Sequence, residues 1–352
     1  MKHLHNRING EELKKKLMES DEKRITLSFY KYAKIKNVSF FRNHFYKVLF
    51  EVGVLGRIYV AEEGINGQIS VPEANINQFK QAMYDISFLE NIRLNVAIED
   101  DGKSFFKLAI KVKPKIVADG LNDDSFDPTN KGIHLDAEAF NQITAEEETI
   151  LIDMRNHYES EVGHFENAIT PDVETFRESL PIIKDMLQNK KDKKIVMYCT
   201  GGIRCEKASA YLKHEGFEEV YQLNGGIIEY TRQIQEKGLP NKFKGKNFVF
   251  DDRLGERISE EIISKCHQCG NPSDDHTNCA NDQCHILFIQ CKSCSENFEG
   301  CCSSKCRDFN ALAEQEKDKL KGTISFNGTK FGKGRYKAHR ATESGNLEGS
   351  KT

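Results

Sequence analysis

The sequence predicts a multidomain α/β protein with an N-terminal α+β domain, a central α/β domain on a parallel sheet, and a C-terminal cysteine-rich module of the zinc type. Three observations lead to this prediction. The chain has 352 residues, which is enough for two or three domains. Apolar β-branched runs alternate with amphipathic helical patterns over residues 24–237. Nine of the 11 cysteines lie between Cys266 and Cys306.

The composition is ordinary for a soluble protein, with 30% charged and 38% hydrophobic residues. The net charge of -3 gives no overall basic bias, so contact with nucleic acid requires a local patch. The first 24 residues are charged and contain no apolar signal-peptide core. The most apolar stretch, 45–61, is interrupted by Lys47, Glu51 and Arg57. We therefore expect a cytoplasmic protein without a membrane span.

Residues 1–24 form a predicted leader, and residues 25–117 a ferredoxin-like (acylphosphatase-like) domain. We expect strands at 24–35, 57–60, 68–71 and 105–112, and helices at 37–52 and 72–87. The order β-α-β-β-α-β is that of a ferredoxin-like unit. The pair Asn66-Gly67, in a turn at 63–67, marks a hairpin. The domain carries no chemical motif, so we expect it to serve docking or RNA presentation.

Residues 133–238 form the predicted central domain. Strands at 149–153, 195–198 and 220–223 alternate with helices at 176–189, 206–217 and 228–237, which indicates a parallel sheet covered on both faces. Ligands bind such sheets beyond the carboxyl ends of the strands. Asp153 and Cys199 both follow predicted strands, so both face that crevice. For Asp153 we favour a structural role.

The segment 198–206, YCTGGIRCE, places Cys199 in a tight loop between a strand and a helix. Gly201 and Gly202 let the backbone curl, and the loop N–H groups with the helix N-terminus then face the sulfur. Arg204 adds a positive charge, so the loop favours a thiolate. Thr200, Gly201, Gly202, Ile203 and Arg204 are the supporting loop residues. The alternative is a buried, inert cysteine.

The spacing Cys199-x4-Arg204 separates two classes of enzyme. It gives a compact loop sized for a sulfur atom, whereas a related phosphatase needs Cys-x5-Arg to hold a tetrahedral phosphate. The sixth position here is Cys205, not arginine. Sulfur or nucleophile chemistry is therefore favoured over phosphatase chemistry. Cys205 is either a resolving thiol or a first-turn residue that packs locally.

A predicted connector, 239–262, leads to the cysteine-rich module, 263–310. Two CxxC pairs with flanking cysteines indicate tetrahedral zinc held by thiolates, in closed structural sites. A cross-braced assignment, which the sequence does not fix, groups Cys266 and Cys269 with Cys291 and Cys294, and Cys279 and Cys284 with Cys302 and Cys306. Other pairings, free or disulfide-linked thiols, and an iron–sulfur cluster remain open.

Residues 311–352 are predicted to form a helix and a basic tail. From 319 to 340 there are seven Lys or Arg and no acid, with Phe326, Phe331 and Tyr336 interleaved. Such a segment suits phosphate contact and base stacking. The alternative is a solvated charged face.

Residues 133–237 resemble the rhodanese family. DMRNHYESEVGHFENAI keeps the family's frame at Asp153, Arg155, Glu159, Gly163, His164 and Ala168. CTGGIR resembles its active loop, and LNGGIIEY its C-terminal signature, with Tyr230 where many members have tryptophan. The resemblance implies that Cys199 is the persulfide-type cysteine of a rhodanese domain.

Up to about residue 308, the chain is also similar to the tRNA uridine hydroxylase family, a rhodanese-related group. The similarity lies in KYAKI, GRIYVAEEGINGQIS, FVFDDRLGERI and the CHQCG cluster. It implies an oxidoreductase that acts on tRNA and forms 5-hydroxyuridine at wobble position 34, with O2 as co-substrate. No flavin, haem or nucleotide motif is visible in the sequence, and the oligomeric state is left open.

Cys199 can serve this reaction as a nucleophile. A thiolate that adds to C6 of uracil makes C5 enolate-like and reactive toward an oxidant. Two other functions remain open: a rhodanese-type sulfurtransferase that carries a Cys199 persulfide, and a non-enzymatic RNA-binding or zinc scaffold.

Overall fold

A computed structural model describes residues 4, 9–98, 103–121, 127–251, 253–328 and 336. The chain forms two compact units. The first comprises residues 1–157, 166–242 and 249–256, and the second comprises residues 158–165, 243–248 and 257–352. Within the described ranges, no helix has the length and apolar character needed to cross a membrane.

The N-terminal part of the first unit contains a five-stranded sheet and three α-helices. Its elements are α1 (Gly10–Met18), β1 (Arg24–Tyr32), α2 (Val38–Glu51), β2 (Leu55–Ala61), β3 (Gly64–Pro72), α3 (Ile76–Tyr84), β4 (Asn95–Val96) and β5 (Leu108–Val112). Single 3-10 turns lie at Glu73–Asn75 and Ser87–Leu89. The strand order is β4-β1-β3-β2-β5. The first four strands pair antiparallel, as in a ferredoxin-like sheet, so the predicted class is confirmed.

The last strand of the ferredoxin-like pattern differs from the prediction. The sequence pattern places it at 105–112, but the strand that pairs antiparallel with β1 is the two-residue β4. β5 is an additional strand that pairs in parallel with β2. A two-residue strand contains no alternation to detect, so the pattern favours the longer apolar run.

The predicted hairpin position is also wrong. Residues 62–63 make the turn, and β3 begins at Gly64. Asn66 and Gly67 lie inside β3, opposite Tyr30 and Phe29 of β1. A side-chain carbon at Gly67 would lie 2.5 Å from the Phe29 ring, which is buried in the core. Gly67 therefore serves packing across the sheet rather than a turn.

The central domain adds the next elements of the chain. They are β6 (Ile133–Leu135), α4 (Ala137–Ile143), β7 (Ile150–Asp153), α5 (His157–Glu161), β8 (Gly163–Phe165), α6 (Phe176–Leu187), β9 (Ile195–Tyr198), α7 (Ile203–His214), β10 (Val220–Leu223) and α8 (Gly226–Lys237). The sheet β6-β10-β9-β7 is parallel throughout, which confirms the prediction. Two helices begin earlier than predicted, α7 by three residues and α8 by two, because glycines cap both.

The second unit holds β8 together with the C-terminal elements. These are β11 (Phe243–Asn247), β12 (Glu256–Arg257) at its boundary, β13 (His276–Asn278), β14 (Leu287–Ile289), α9 (Lys292–Phe298), α10 (Ser304–Asn310) and α11 (Glu314–Leu320). They form a sheet of order β12-β11-β8 and the hairpin β13-β14. The predicted connector thus contains the two strands β11 and β12. The pattern over 303–321 predicts one helix, but the structure has two there, α10 and α11.

Candidate active site and cysteine clusters

Cys199 directly follows β9, whose four residues are all buried. The strand therefore delivers its sulfur to the carboxyl end of the parallel sheet. The start of α8 anchors the loop, because Ile227 N–H donates to the Cys199 carbonyl at 3.0 Å. Gly226 is required here: its φ is +66°, and a side-chain carbon would lie 2.4 Å from the Cys199 oxygen. The segment LNGGIIEY thus packs against the backbone of the active loop and holds it in place.

Gly202 shapes the loop around the sulfur. Its φ is +97°, in the left-handed region, and it caps the N-terminus of α7. In this conformation its N–H donates to Cys199 Sγ at 3.2 Å. Gly201 is not among the positive-φ glycines, and a side-chain carbon there would make only an ordinary 3.6 Å contact with Asn95 Nδ2. The predicted need for glycine therefore applies to Gly202 and not to Gly201.

The loop lowers the pKa of Cys199 to about 6. Burial alone would raise this pKa, since the side chain is 0% exposed. Three effects oppose burial: a hydrogen bond from the Cys205 thiol, the charge of Arg204, and backbone N–H groups of both residues. The Arg204 guanidinium also donates to Thr200 Oγ1 at 3.3 Å. Cys199 is accordingly mostly thiolate at neutral pH.

Cys205 lies in the first turn of α7 and is fully buried. Burial, followed by its hydrogen bond to Cys199 and the charge there, holds the pKa of Cys205 well above its usual range. Cys205 therefore stays a thiol that donates to the Cys199 thiolate. The first-turn position and the burial agree with local packing, and a role for Cys205 as a resolving thiol stays a prediction.

The N-terminal domain contributes side chains to this region, which the sequence did not predict. Tyr30 Oη donates to Glu206 Oε1 at 3.2 Å, and it lies 2.8 Å from where a side-chain carbon on Gly202 would sit. Glu206 also contacts His134 Nε2 at 2.9 Å and Lys131 Nζ at 2.7 Å. Tyr30 and Glu206 are 176 residues apart. No spacing rule connects two domains at such a distance, so only the folded structure reveals the contact.

A buried ion-pair network further joins α7 to the N-terminal domain. Lys207 is 1% exposed and lies 2.5 Å from an oxygen of Asp119 and 2.9 Å from one of Glu63. Buried pairs of this kind fix geometry more than they add stability. The helix that carries Arg204 and Cys205 is thereby held against the N-terminal sheet.

The other residues of the rhodanese frame have structural contacts. Asp153 ends β7 and is ion-paired with Arg155 at 2.6 Å, with both side chains fully buried. This buried ion pair supports the structural role predicted for Asp153, which stays a prediction. His164 lies in β8, where its Nδ1 contacts the Ser160 carbonyl at 2.9 Å.

Two groups of four cysteines in the second unit are arranged to hold metal ions. They are Cys266, Cys269, Cys291 and Cys294 in one group, and Cys279, Cys284, Cys302 and Cys306 in the other. These groups are the two sets of the cross-braced assignment, and within each the sulfurs lie within 4.8 Å of one another. Cys301 belongs to neither group, and none of the nine cysteines between Cys266 and Cys306 forms a disulfide.

The donor geometry fits zinc. Neighbouring sulfurs are 3.6 Å apart for Cys269 and Cys291, and 3.7 Å apart for Cys284 and Cys302. A tetrahedron with Zn–S bonds of about 2.3 Å has edges of about 3.8 Å. Backbone N–H groups of Cys291 and Cys302 donate to a sulfur in each group at 3.3 Å, as expected around metal thiolates.

Of the predicted basic tail, Phe331 and residues 337–352 lie outside the described ranges.

Comparison with known proteins assigns a class to this architecture. Residues 24–116 match the family described as UPF0176 acylphosphatase like domain, residues 136–233 the rhodanese-like domain, and residues 244–307 the rhodanase C-terminal family. The rhodanese-like domain of an Anabaena protein is 21% identical, covers 32% of this chain and 78% of its own, and has a TM-score of 0.26. The family matches, the parallel sheet and the Cys199 loop define a rhodanese-related protein.

Two relatives that match most of this chain carry the same name. The tRNA uridine(34) hydroxylase of Yersinia enterocolitica is 57% identical over 314 residues, which are 89% of this chain and 90% of that protein. A Yersinia pestis protein of the same name is 57% identical and is covered over 88% of its length. The chain belongs to the tRNA uridine(34) hydroxylase family, which confirms the resemblance seen in the sequence. It is therefore a hydroxylating oxidoreductase on a rhodanese domain, not a non-enzymatic scaffold.

Proposed function

We propose that the chain hydroxylates C5 of the wobble uridine of tRNA with O2, and that Cys199 is the nucleophile. The tRNA substrate comes from the names of the Yersinia relatives. The observation that carries the proposal is the Cys199 loop, in which the Gly202 N–H lies 3.2 Å from a sulfur whose pKa is lowered to about 6. A stabilised thiolate at the end of a buried strand is suited to attack an electron-poor ring carbon.

The reaction balances with O2 and two thiols of an external reductant. The Cys199 thiolate adds to C6, and the C5 carbanion equivalent bonds to one oxygen atom of O2. The two thiols supply two electrons and two protons, which cleave the O–O bond and leave a hydroxyl on C5, water and a disulfide. Loss of the C5 proton and departure of Cys199 from C6 restore the double bond. Arg204 and the loop N–H groups stabilise the sulfur both before attack and on departure.

Isotope labelling tests the oxygen source. Purified protein, unmodified tRNA and a dithiol reductant are incubated under ¹⁸O₂, and the nucleosides are analysed by mass spectrometry. We expect 5-hydroxyuridine that carries ¹⁸O. A product labelled only from H₂¹⁸O, or one formed equally under argon, would refute oxygen-dependent hydroxylation.

A sulfurtransferase is the second candidate, because Cys199-x4-Arg204 is a loop of the size that holds a terminal sulfur atom. In that case a persulfide on Cys199 passes its outer sulfur to an acceptor. A thiosulfate-to-cyanide assay distinguishes the two, since we expect thiocyanate formation to be slow relative to tRNA hydroxylation. The reverse order would favour sulfur transfer.

The remaining parts of the chain support the tRNA function. We propose that each four-cysteine group holds one structural zinc ion, which would fix the fold of the second unit without a role in the chemistry. We further propose that the basic tail contacts tRNA phosphates and that the protein works in the cytoplasm, where this substrate occurs.

A further inference from the structure

A cleft lies beside the active loop within the first unit, with an inner volume of about 50 Å³, or about 410 Å³ when the open solvent at its mouth is included. Its walls come from β1, β3 and β4 of the N-terminal sheet, from Thr200, and from residues 249–251, 253 and 256. Thr200 directly follows Cys199, so the cleft reaches the loop that carries the sulfur.

Asn95 presents an unpaired acceptor at this cleft. The residue lies in β4 and is 2% exposed. Its Oδ1 has no hydrogen-bond partner among the described residues. Its Nδ2 lies 3.6 Å from where a side-chain carbon on Gly201 would sit, so the amide faces the active loop.

Glu256 presents a second unpaired atom. It is 1% exposed, and its Oε1 accepts from Ile98 N–H at 3.0 Å and from Arg253 Nη1 at 2.7 Å. These contacts fix the carboxyl group, while Oε2 has no partner in the described part of the chain. Burial raises the pKa of Glu256 against the opposing charge of Arg253, so this carboxyl takes up a proton more readily than an exposed glutamate does. Because buried polar groups are almost always paired, both atoms indicate a polar ligand.

The side chains at the cleft match the edge of a uracil ring. Uracil offers one N–H donor, at N3, between two carbonyl acceptors. An asparagine amide offers an acceptor beside a donor, and a protonated carboxyl offers one donor. Phe250 supplies an apolar ring at the cleft, and its centroid is 5.9 Å from the Arg204 guanidinium. Unstacked RNA bases are recognised by this combination of aromatic contact and pairing along the base edge.

We propose that this cleft binds the uracil of the target nucleotide, with Asn95 pairing with N3–H and one carbonyl, and Glu256 donating to the other carbonyl. The inference rests on the proposed function and names the residues that select uracil for it. The base leaves its stack to enter the cleft, which places the ring next to Thr200 and the neighbouring sulfur.

Binding measurements in a Cys199→Ser protein test the inference without turnover. The ligands are one tRNA with uridine, cytidine, 3-methyluridine or an abasic site at position 34. We expect uridine to bind about 10-fold or more tightly than the other three, because each lacks or blocks hydrogen-bond partners in the cleft. Adding Asn95→Asp should bring the uridine and abasic tRNAs within about 2-fold of each other and leave the abasic affinity unchanged.

Two further substitutions sharpen the test. Glu256→Gln keeps a donor and should retain the preference for uridine, whereas Glu256→Met should lose it. Gln81→Ala removes an exposed amide from α3 of the same domain and serves as the matched control. Thermal unfolding checks that each variant is folded. The comparison of uridine with 3-methyluridine changes only the tRNA, so its result does not depend on the folding of a cleft variant.

The outcomes separate this inference from the proposed function. Equal affinity for uridine and 3-methyluridine, or a uridine preference that survives Asn95→Asp, would overturn it, and the two buried atoms would then serve bound water. If wild-type protein hydroxylates uridine while these preferences are absent, only the inference fails. If uridine selection depends on Asn95 but no hydroxylation occurs, only the proposed function fails.

Discussion

Replacing Gly202 by alanine perturbs the active loop at one defined point. Gly202 has a φ of +97°, and its N–H donates to Cys199 Sγ at 3.2 Å. A methyl group there would lie 2.8 Å from Tyr30 Oη, which is itself hydrogen-bonded to Glu206. The variant must therefore either strain the backbone or rotate the peptide and withdraw the N–H from the sulfur.

Both effects have magnitudes that can be worked out. A non-glycine residue in the left-handed region costs about 1 to 2 kcal/mol, which lowers the free energy of unfolding by that amount. A hydrogen bond to a charged group contributes about 1.5 to 3 kcal/mol, and about 1.4 kcal/mol corresponds to one pH unit. We therefore expect the pKa of Cys199 to rise by about one pH unit or more.

Thiolate absorbance at 240 nm measures this pKa, with each variant compared against the same protein carrying Cys199→Ser. Gly201→Ala is the matched control, because its φ is outside the left-handed region and its methyl group makes only a 3.6 Å contact. We expect the midpoint of Gly201→Ala to stay near that of the wild type, at about 6. Equal midpoints for the two variants would refute the role assigned to the Gly202 N–H.

Arg204→Gln should also raise the pKa of Cys199, by about one pH unit or more, while Arg204→Lys keeps the charge and should shift it less. Because only the thiolate attacks, activity should fall as the pH drops through the pKa of Cys199. The midpoint of this fall should lie near pH 6 in the wild type and at a higher pH in Arg204→Gln. Coincident pH profiles of the two proteins would contradict this. Elemental analysis should find two zinc ions per wild-type chain and one per chain in Cys284→Ser. The control Cys301→Ser should keep two, since Cys301 lies outside both groups. Less than one zinc ion per wild-type chain would refute the two-site assignment. Truncation after Asp318 should weaken tRNA binding most at low salt, and an unchanged affinity would exclude the tail from the interface.

Local patterns in the sequence predicted much of this structure. The parallel sheet and the Cys199 loop follow from contiguous runs of residues. The spacing of the cysteines indicates metal binding but does not fix which of them share a site. The strand β4 was not predicted, because two residues are too few to show a periodic pattern. The hairpin predicted at Asn66-Gly67 was wrong, because Gly67 is a glycine for another reason: the Phe29 ring on the neighbouring strand leaves no room for a side chain. Contacts such as Tyr30 with Glu206 depend on how two domains pack, and no pattern within either domain encodes that.

The most direct test of the central claim is the rate of 5-hydroxyuridine formation by Cys199→Ser protein on unmodified tRNA under O2. A hydroxyl of ordinary pKa cannot replace a thiolate whose pKa is lowered to about 6. We predict a loss of about 1,000-fold or more in the single-turnover rate, with thermal stability and tRNA affinity close to those of the wild type. Product formation within about 10-fold of the wild-type rate would contradict a nucleophilic role for Cys199.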